Sequence, residues 1–175
     1  MTLTVLIADD HPLVRDALAR TVRELADDVR THQAGGLDAM LHLAATVDAD
    51  LALVDLNMPG MDVVAGLARL RQQAPTLAVV VASGQEDAAT IRAVLVAGAV
   101  GFIPKSERPE VLLSALRLVL AGGSYVPARL LEAAPPPAAA AAASDLTPRQ
   151  LDVLRCLMRG EPNKLIAREL GIDSA

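Results

Sequence analysis

Four short apolar runs in this chain each end in a residue that could take part in chemistry. Leu3-Thr-Val-Leu-Ile-Ala8 runs into Asp9 and Asp10, and Leu51-Ala-Leu-Val54 into Asp55. Leu77-Ala-Val-Val-Val-Ala82 ends at Ser83, and Val100-Gly-Phe-Ile103 at Pro104 and Lys105. Carboxylates brought together cannot all stay charged without a cation beside them. A hard dication such as Mg²⁺ meets that need with a few carboxylate oxygens and several retained waters. A lysine and a hydroxyl next to such an ion complete a site for a phosphoryl group. There an aspartate can act as nucleophile and form an aspartyl phosphate, with metal and lysine stabilising the equatorial oxygens. The plain alternative is an acidic turn and a surface lysine. Four suitable strand ends argue against it, as does the choice of lysine, used twice in the chain against fourteen arginines.

The elements between these ends must bring them to one edge. Runs of apolar residues that stop at polar ones suit strands buried on both faces. Between them apolar residues recur at helical spacing. A first helix follows Pro12, with Val14, Ala17, Leu18, Val22 and Leu25 as its stripe. A weak second strand spans Val29 to Ala34, and a second helix runs from about Leu37 to Val47. The third strand reaches from Asp50 to Asp55 and turns at Pro59-Gly60; Val63, Val64, Leu67 and Leu70 mark the third helix. Ile91, Val94 and Leu95 mark a fourth helix ending at Gly98. A fifth starts at Pro109 and carries Val111, Leu112, Ala115, Leu116, Val119 and Leu120 to Gly122-Gly123. Five strands alternating with five helices imply an α/β fold, a doubly wound parallel sheet with right-handed crossovers. Its strand ends then share one carboxyl edge. Both the flavodoxin-like and the Rossmann-like forms fit, but no Gly-x-Gly-x-x-Gly follows the first strand, which disfavours dinucleotide binding.

Composition narrows the classes further. One cysteine, Cys156, excludes an internal disulfide framework and a multi-cysteine zinc site. The N-terminus shows no signal-peptide pattern and no apolar run approaches a membrane span, so a cytoplasmic protein that does not enter membranes is expected. The net charge is −5, yet residues 145–175 carry five Lys/Arg and five Asp/Glu. The excess negative charge therefore lies in the first 144 residues, which are poorly suited to hold nucleic acid by themselves. Glu132-Ala-Ala-Pro-Pro-Pro-Ala-Ala-Ala-Ala-Ala-Ala-Ser144 is low in complexity and reads as an interdomain spacer. Beyond it, Thr147, Pro148 and Gln150 have the pattern of a helix start. Leu151, Leu154, Leu157 and Met158 give that helix an apolar face, and Leu165, Ile166 and Leu170 mark a second. His11, His32 and His42 are scattered; His11 reads as a solvated turn residue near the mouth of the acidic edge.

Asp9-Asp10, Asp55-Leu-Asn-Met-Pro-Gly60, Ser83 and Gly101-Phe-Ile-Pro-Lys105 together resemble the receiver domain of bacterial two-component response regulators. The likeness covers roughly residues 3–122. It implies a flavodoxin-like sheet of order 2-1-3-4-5, Asp55 as phosphoacceptor, and a sensor histidine kinase as donor. It also implies Mg²⁺ held by Asp10, Asp55 and the backbone carbonyl of Asn57, with Asp9 in support. Ser83 and Lys105 would contact the phosphoryl group, and Phe102 would be the aromatic switch, without the hydroxyl that a tyrosine brings there. Phosphorylation is expected to draw Ser83 and Lys105 inward, to bury Phe102, and to favour a homodimer. Leu146-Thr-Pro-Arg-Gln-Leu-Asp-Val-Leu154 with Asn163-Lys-Leu-Ile-Ala-Arg-Glu-Leu-Gly171 resembles the start of a NarL/LuxR-type helix-turn-helix. The expected organisation is a receiver over 1–126, a linker over 127–145, and a partial DNA-binding domain over 146–175. Its recognition helix is expected beyond Ala175, so DNA reading is expected only of a version with the complete C-terminal domain. The reading is of a regulator and not an enzyme. An aspartyl-phosphate phosphatase would want Asp-x-Asp at the end of the first strand, where Asp9-Asp10-His11 stands. A phosphorylation-independent interaction module is the other rival.

Overall fold

A computed structural model describes residues 2–58 and 62–127, together with Leu130. All of them fall in the first of the two units into which the chain divides, Met1–Glu132. The Pro59-Gly60 turn and, apart from Leu130, the expected linker beyond Pro127 and the expected helix-turn-helix segment lie outside the described residues.

The sheet is built from β1 (Leu3–Ala8), β2 (Val29–Ala34), β3 (Leu51–Val54), β4 (Ala78–Ser83) and β5 (Gly101–Pro104). All pairs are parallel and the order is β2-β1-β3-β4-β5, the flavodoxin-like arrangement. The helices are α1 (Pro12–Val22), α2 (Leu37–Thr46), α3 (Val63–Gln73), α4 (Ala88–Val96) and α5 (Pro109–Leu120). A short 3₁₀ turn, Arg23–Leu25, extends α1. Proline opens α1 and α5, where its missing N–H costs nothing. Asp62 and Asp87 cap α3 and α4 by accepting from the amides of Ala65 and Thr90, each at 2.9 Å.

Alternation along the strands sorts the core into two layers. Val5, Ile7, Leu51, Leu53, Val80 and Ile103 face α1 and α5, packing on Ala19, Val22, Leu112 and Leu116. Leu6, Ala8, Ala52, Val54, Val79, Val81 and Phe102 face α2, α3 and α4, packing on Met40, Leu41, Leu67, Leu70, Ile91 and Val94. With both faces covered, the three inner strands need no polar alternation, which is why their runs read as continuously apolar.

Some expected stripe residues are placed otherwise. Ala17 and Val64 are exposed, and Leu95 is only half-buried. The fourth and fifth strands sit one residue later than the apolar runs suggest, at Ala78–Ser83 and Gly101–Pro104. β5 is an edge strand and tolerates Pro104 for that reason. Its outer edge is not bare: Gly101 bridges Tyr125, and the Phe102 amide donates to the Tyr125 carbonyl at 2.9 Å. The segment after α5 thus covers an edge that would otherwise be open to pairing.

Candidate functional site

The parallel ladders continue one residue past the strands, and these extra bonds fix the polar residues at the carboxyl edge. The Asp9 amide donates to the Ala34 carbonyl at 3.1 Å, Asp55 to Ala8 at 2.8 Å, and Lys105 to Ser83 at 2.9 Å. Backbone positions at this edge are therefore set by the sheet itself.

The side chains converge. Lys105 Nζ stands 2.7 Å from Asp9 Oδ2 and 2.9 Å from Asp55 Oδ2. Asp9 and Asp55 are buried, whereas the Lys105 side chain keeps 24% of its surface exposed. Burial by itself would lower the Lys105 pKa; contacts with Asp9 and Asp55 outweigh it, and the net shift is upward. Asp9 Oδ1 accepts the His11 amide at 2.8 Å. His11 Nδ1 lies 2.6 Å from Asp10 Oδ1 and 3.4 Å from Asp9 Oδ1, on a side chain that is 66% exposed. Asp55 Oδ1 is buried and has no hydrogen-bond partner among the described residues.

One oxygen or nitrogen from each of Asp9, Asp10, His11 and Asp55 can be chosen so that all lie within 4.8 Å of one another. The donor set is rich in carboxylate oxygens and includes a buried oxygen without a protein partner, which fits a hard dication such as Mg²⁺. Three carboxylates against one ammonium leave the pocket negative, and a buried polar atom without a partner needs either water or an ion. Asp9, Asp10 and Asp55 are the residues that would supply carboxylate oxygen. Asn57 follows two residues after Asp55 and is exposed.

Ser83 is buried, and its hydroxyl accepts the Gln85 amide at 3.1 Å, closing a turn at the end of β4. Phe102 is fully buried in the layer of α2, α3 and α4.

Sequence reasoning missed two contributions. Arg15 donates from Nη1 to the Asp9 carbonyl at 2.7 Å and from Nε to Gln33 Oε1 at 3.1 Å, tying the loop after β1 to the end of β2. Its position one helical turn after His11 was the available signal. His11 is solvent-exposed as expected, yet it touches both acidic residues before it. Across the pocket, Ser106 Oγ donates to Glu86 Oε1 at 2.6 Å, joining the loop after β5 to the loop after β4.

A doubly wound sheet of this order, with aspartates and a lysine gathered at its carboxyl edge, defines a receiver-type domain. Residues 5–117 match the family model described as response regulator receiver domain, and residues 144–175 match that of bacterial regulatory proteins of the luxR family. A glycerol metabolism activator of Pseudomonas putida is 36% identical over 179 residues, spanning 96% of this chain and 81% of the relative. The nitrate/nitrite response regulator NarL of Escherichia coli is 35% identical over 178 residues, spanning 98% of this chain and 82% of the relative. Among solved structures, a LuxR family DNA-binding response regulator from Silicibacter pomeroyi has 36% identity and a TM-score of 0.63, covering 71% of this chain and 97% of that one. The chain belongs to the response regulators that join a receiver domain to a LuxR-type DNA-binding domain and control transcription. Membership in that family of regulators sets the phosphatase reading aside. Among the described residues no helix is long and apolar enough to cross a membrane.

Proposed function

We propose that Asp55 is the phosphoacceptor of a two-component relay and that its modification controls the DNA-binding output. The observation that carries this is the pairing of roles on one side chain. Asp55 Oδ2 is held by Lys105 at 2.9 Å, while the buried Oδ1 has no partner among the described residues and is left to react. In the transfer an Asp55 oxygen attacks phosphorus, the P–N bond of a kinase phosphohistidine breaks, and the imidazole leaves and takes a proton. Mg²⁺ bound at the pocket would neutralise charge on the equatorial oxygens. Asp10, Asp55 and the Asn57 carbonyl would hold it, with Asp9 in support.

In this reading Lys105 exchanges its carboxylate contacts for the incoming phosphoryl oxygens, and Ser83 must give up the Gln85 amide to reach them. Phe102 acts by transmitting a shift of β5 through its packing. The receiver occupies 1–126, the linker 127–145 and the partial helix-turn-helix 146–175. The protein acts in the cytoplasm, with a sensor histidine kinase as donor and a phosphorylation-dependent homodimer as the active form. The test is incubation of the 175-residue chain with a small-molecule phosphodonor and Mg²⁺, read by intact mass. One phosphoryl group should add, and Asp55→Asn should remove it. A full mass shift in Asp55→Asn sinks the assignment.

A further inference from the structure

β5 has a weak hold on its own place. It is the short run Gly101–Pro104, and its first and last residues, a glycine and a proline, are both poor strand formers. β4 pairs with it on one side, and the amide of Lys105, which follows it, donates to the Ser83 carbonyl at 2.9 Å. The chain returns to its other side after α5. Gly122 turns at φ +86°, Tyr125 bridges Gly101, and the Tyr125 carbonyl accepts the Phe102 amide at 2.9 Å. Glycine at 101 lets the two backbones meet, because a Cβ there would stand 3.2 Å from the Tyr125 oxygen and 3.5 Å from its nitrogen. The side chain adds a second hold. Its half-buried ring packs against the layer that contains Ile103, Leu112, Leu116 and Val119. Burial raises the pKa of its hydroxyl, and the negative charge of Glu107, two residues after Lys105, raises it further.

The Lys105 ammonium meets Asp9 and Asp55 at 2.7 and 2.9 Å, and where it can reach depends on where the strand before it lies. A short edge strand with one neighbour can shift in the plane of the sheet; a second neighbour prevents that. We propose that Tyr125 is a positioning residue for Lys105 that acts through β5. Its backbone and ring clamp the strand from the outer edge, and the clamped strand holds the ammonium against the carboxylates. The consequence for phosphoryl transfer rests on the role proposed above for Lys105; the placement itself does not require it.

The test uses the full 175-residue chain without added metal. It reads by peptide mass how fast an amine-acylating reagent modifies Lys105, with Lys164, the other lysine of the chain, as internal reference. Held between two carboxylates, Lys105 is shielded; a loosened strand frees it. Tyr125→Ala should raise its rate relative to Lys164 by about tenfold, because local opening becomes common. Gly101→Ala should raise it too with the tyrosine still present, since the new Cβ pushes the Tyr125 backbone away although alanine suits a strand better than glycine. Tyr125→Phe keeps backbone and ring and should stay within about twofold of wild type. Leu41→Ala, a buried change on α2, which packs on β1 and β2, lowers stability away from β5 and should leave the rate alike. A wild-type rate in folded Tyr125→Ala or Gly101→Ala overturns the inference, and so does an equal rise in Leu41→Ala. Phosphorylation by a small-molecule donor with Mg²⁺, followed separately by mass, should slow by about tenfold in Tyr125→Ala, less than the roughly hundredfold that a misplacement of about 1 Å can cost. A wild-type chain that gains no phosphoryl group sinks the phosphoacceptor reading and leaves the positioning of Lys105 standing.

Discussion

Removing the Lys105 ammonium tests the electrostatic account of the pocket most directly. Lys105→Met keeps most of the stem's volume and deletes the charge standing 2.7 Å from Asp9 and 2.9 Å from Asp55. The two carboxylates are buried, and their ligand oxygens lie within 4.8 Å of each other. At that separation unit charges repel by roughly 3.5 kcal/mol with an effective dielectric constant of about 20. Breaking a buried pair from one side costs about 3–5 kcal/mol in general. Because the Lys105 side chain is 24% exposed, water relieves part of this, and a loss of about 2–3 kcal/mol is expected. Urea unfolding should show it as a midpoint lowered by about 1–2 M. Tyr125 is the sole tyrosine and the chain has no tryptophan, so tyrosine fluorescence reports on the receiver alone. Adding Mg²⁺ should recover part of the loss by binding only the folded pocket. Asp9→Asn should do the same in the Lys105→Met background, since it removes one of the repelling charges. Alkaline pH supplies a further check. The Lys105 pKa is raised above its ordinary 10.5, so its stabilisation is complete below that value and is lost as pH climbs through the folded one. The wild type should therefore weaken above about pH 10.5 by a step missing from Lys105→Met, followed by circular dichroism because Tyr125 titrates nearby. Equal urea midpoints for Lys105→Met and wild type without Mg²⁺ would refute the account. Strictly additive losses with Asp9→Asn would refute it as well.

Gly98 has φ +102°, and a Cβ there would sit 2.4 Å from Arg71 Cδ. Gly98→Ala should cost about 1–3 kcal/mol in urea unfolding and less in an Arg71→Ala background; a neutral effect would show that the turn relaxes freely. Phe102→Ala empties a fully buried position and should cost about 3–5 kcal/mol; a loss under 1 kcal/mol would mean the surroundings collapse into the space. Ser106→Ala should change stability by no more than about 0.5 kcal/mol yet speed amide exchange at Gln85, because the Ser106–Glu86 bond ties the two loops; unchanged exchange would deny that coupling.

The fold was legible because burial on both faces writes itself into the sequence. Leu51 to Val54 and Ala78 to Ala82 are apolar at every position, so their strands and the polar residues after them could be read directly. Strand ends were read with an error of one residue at β4 and β5, since the ladder stops where hydrogen bonds stop and not where hydrophobicity does. Val64 was misassigned to a buried stripe because a valine on a helix looks the same whether it packs or not. Contacts that depend on side-chain reach across the chain were not legible. Arg15 closing on Gln33 and on the Asp9 carbonyl is such a case, and so is the backbone pairing of Tyr125 with β5. His11 shows the limit from the other side, because a residue can be solvated and still touch the site.

Tyr125 carries one more consequence. Its carbonyl is bonded to the amide of Phe102 on β5, three residues before Lys105, which follows the end of that strand. The polypeptide therefore leaves the receiver stitched to the strand whose end touches Asp9 and Asp55. A sideways slip of that strand by some fraction of an ångström drags the exit point with it, with no lever in between. The exit of the chain and the strand that leads into Lys105 therefore share one hydrogen-bonded edge, and a shift of that strand would carry the exit with it.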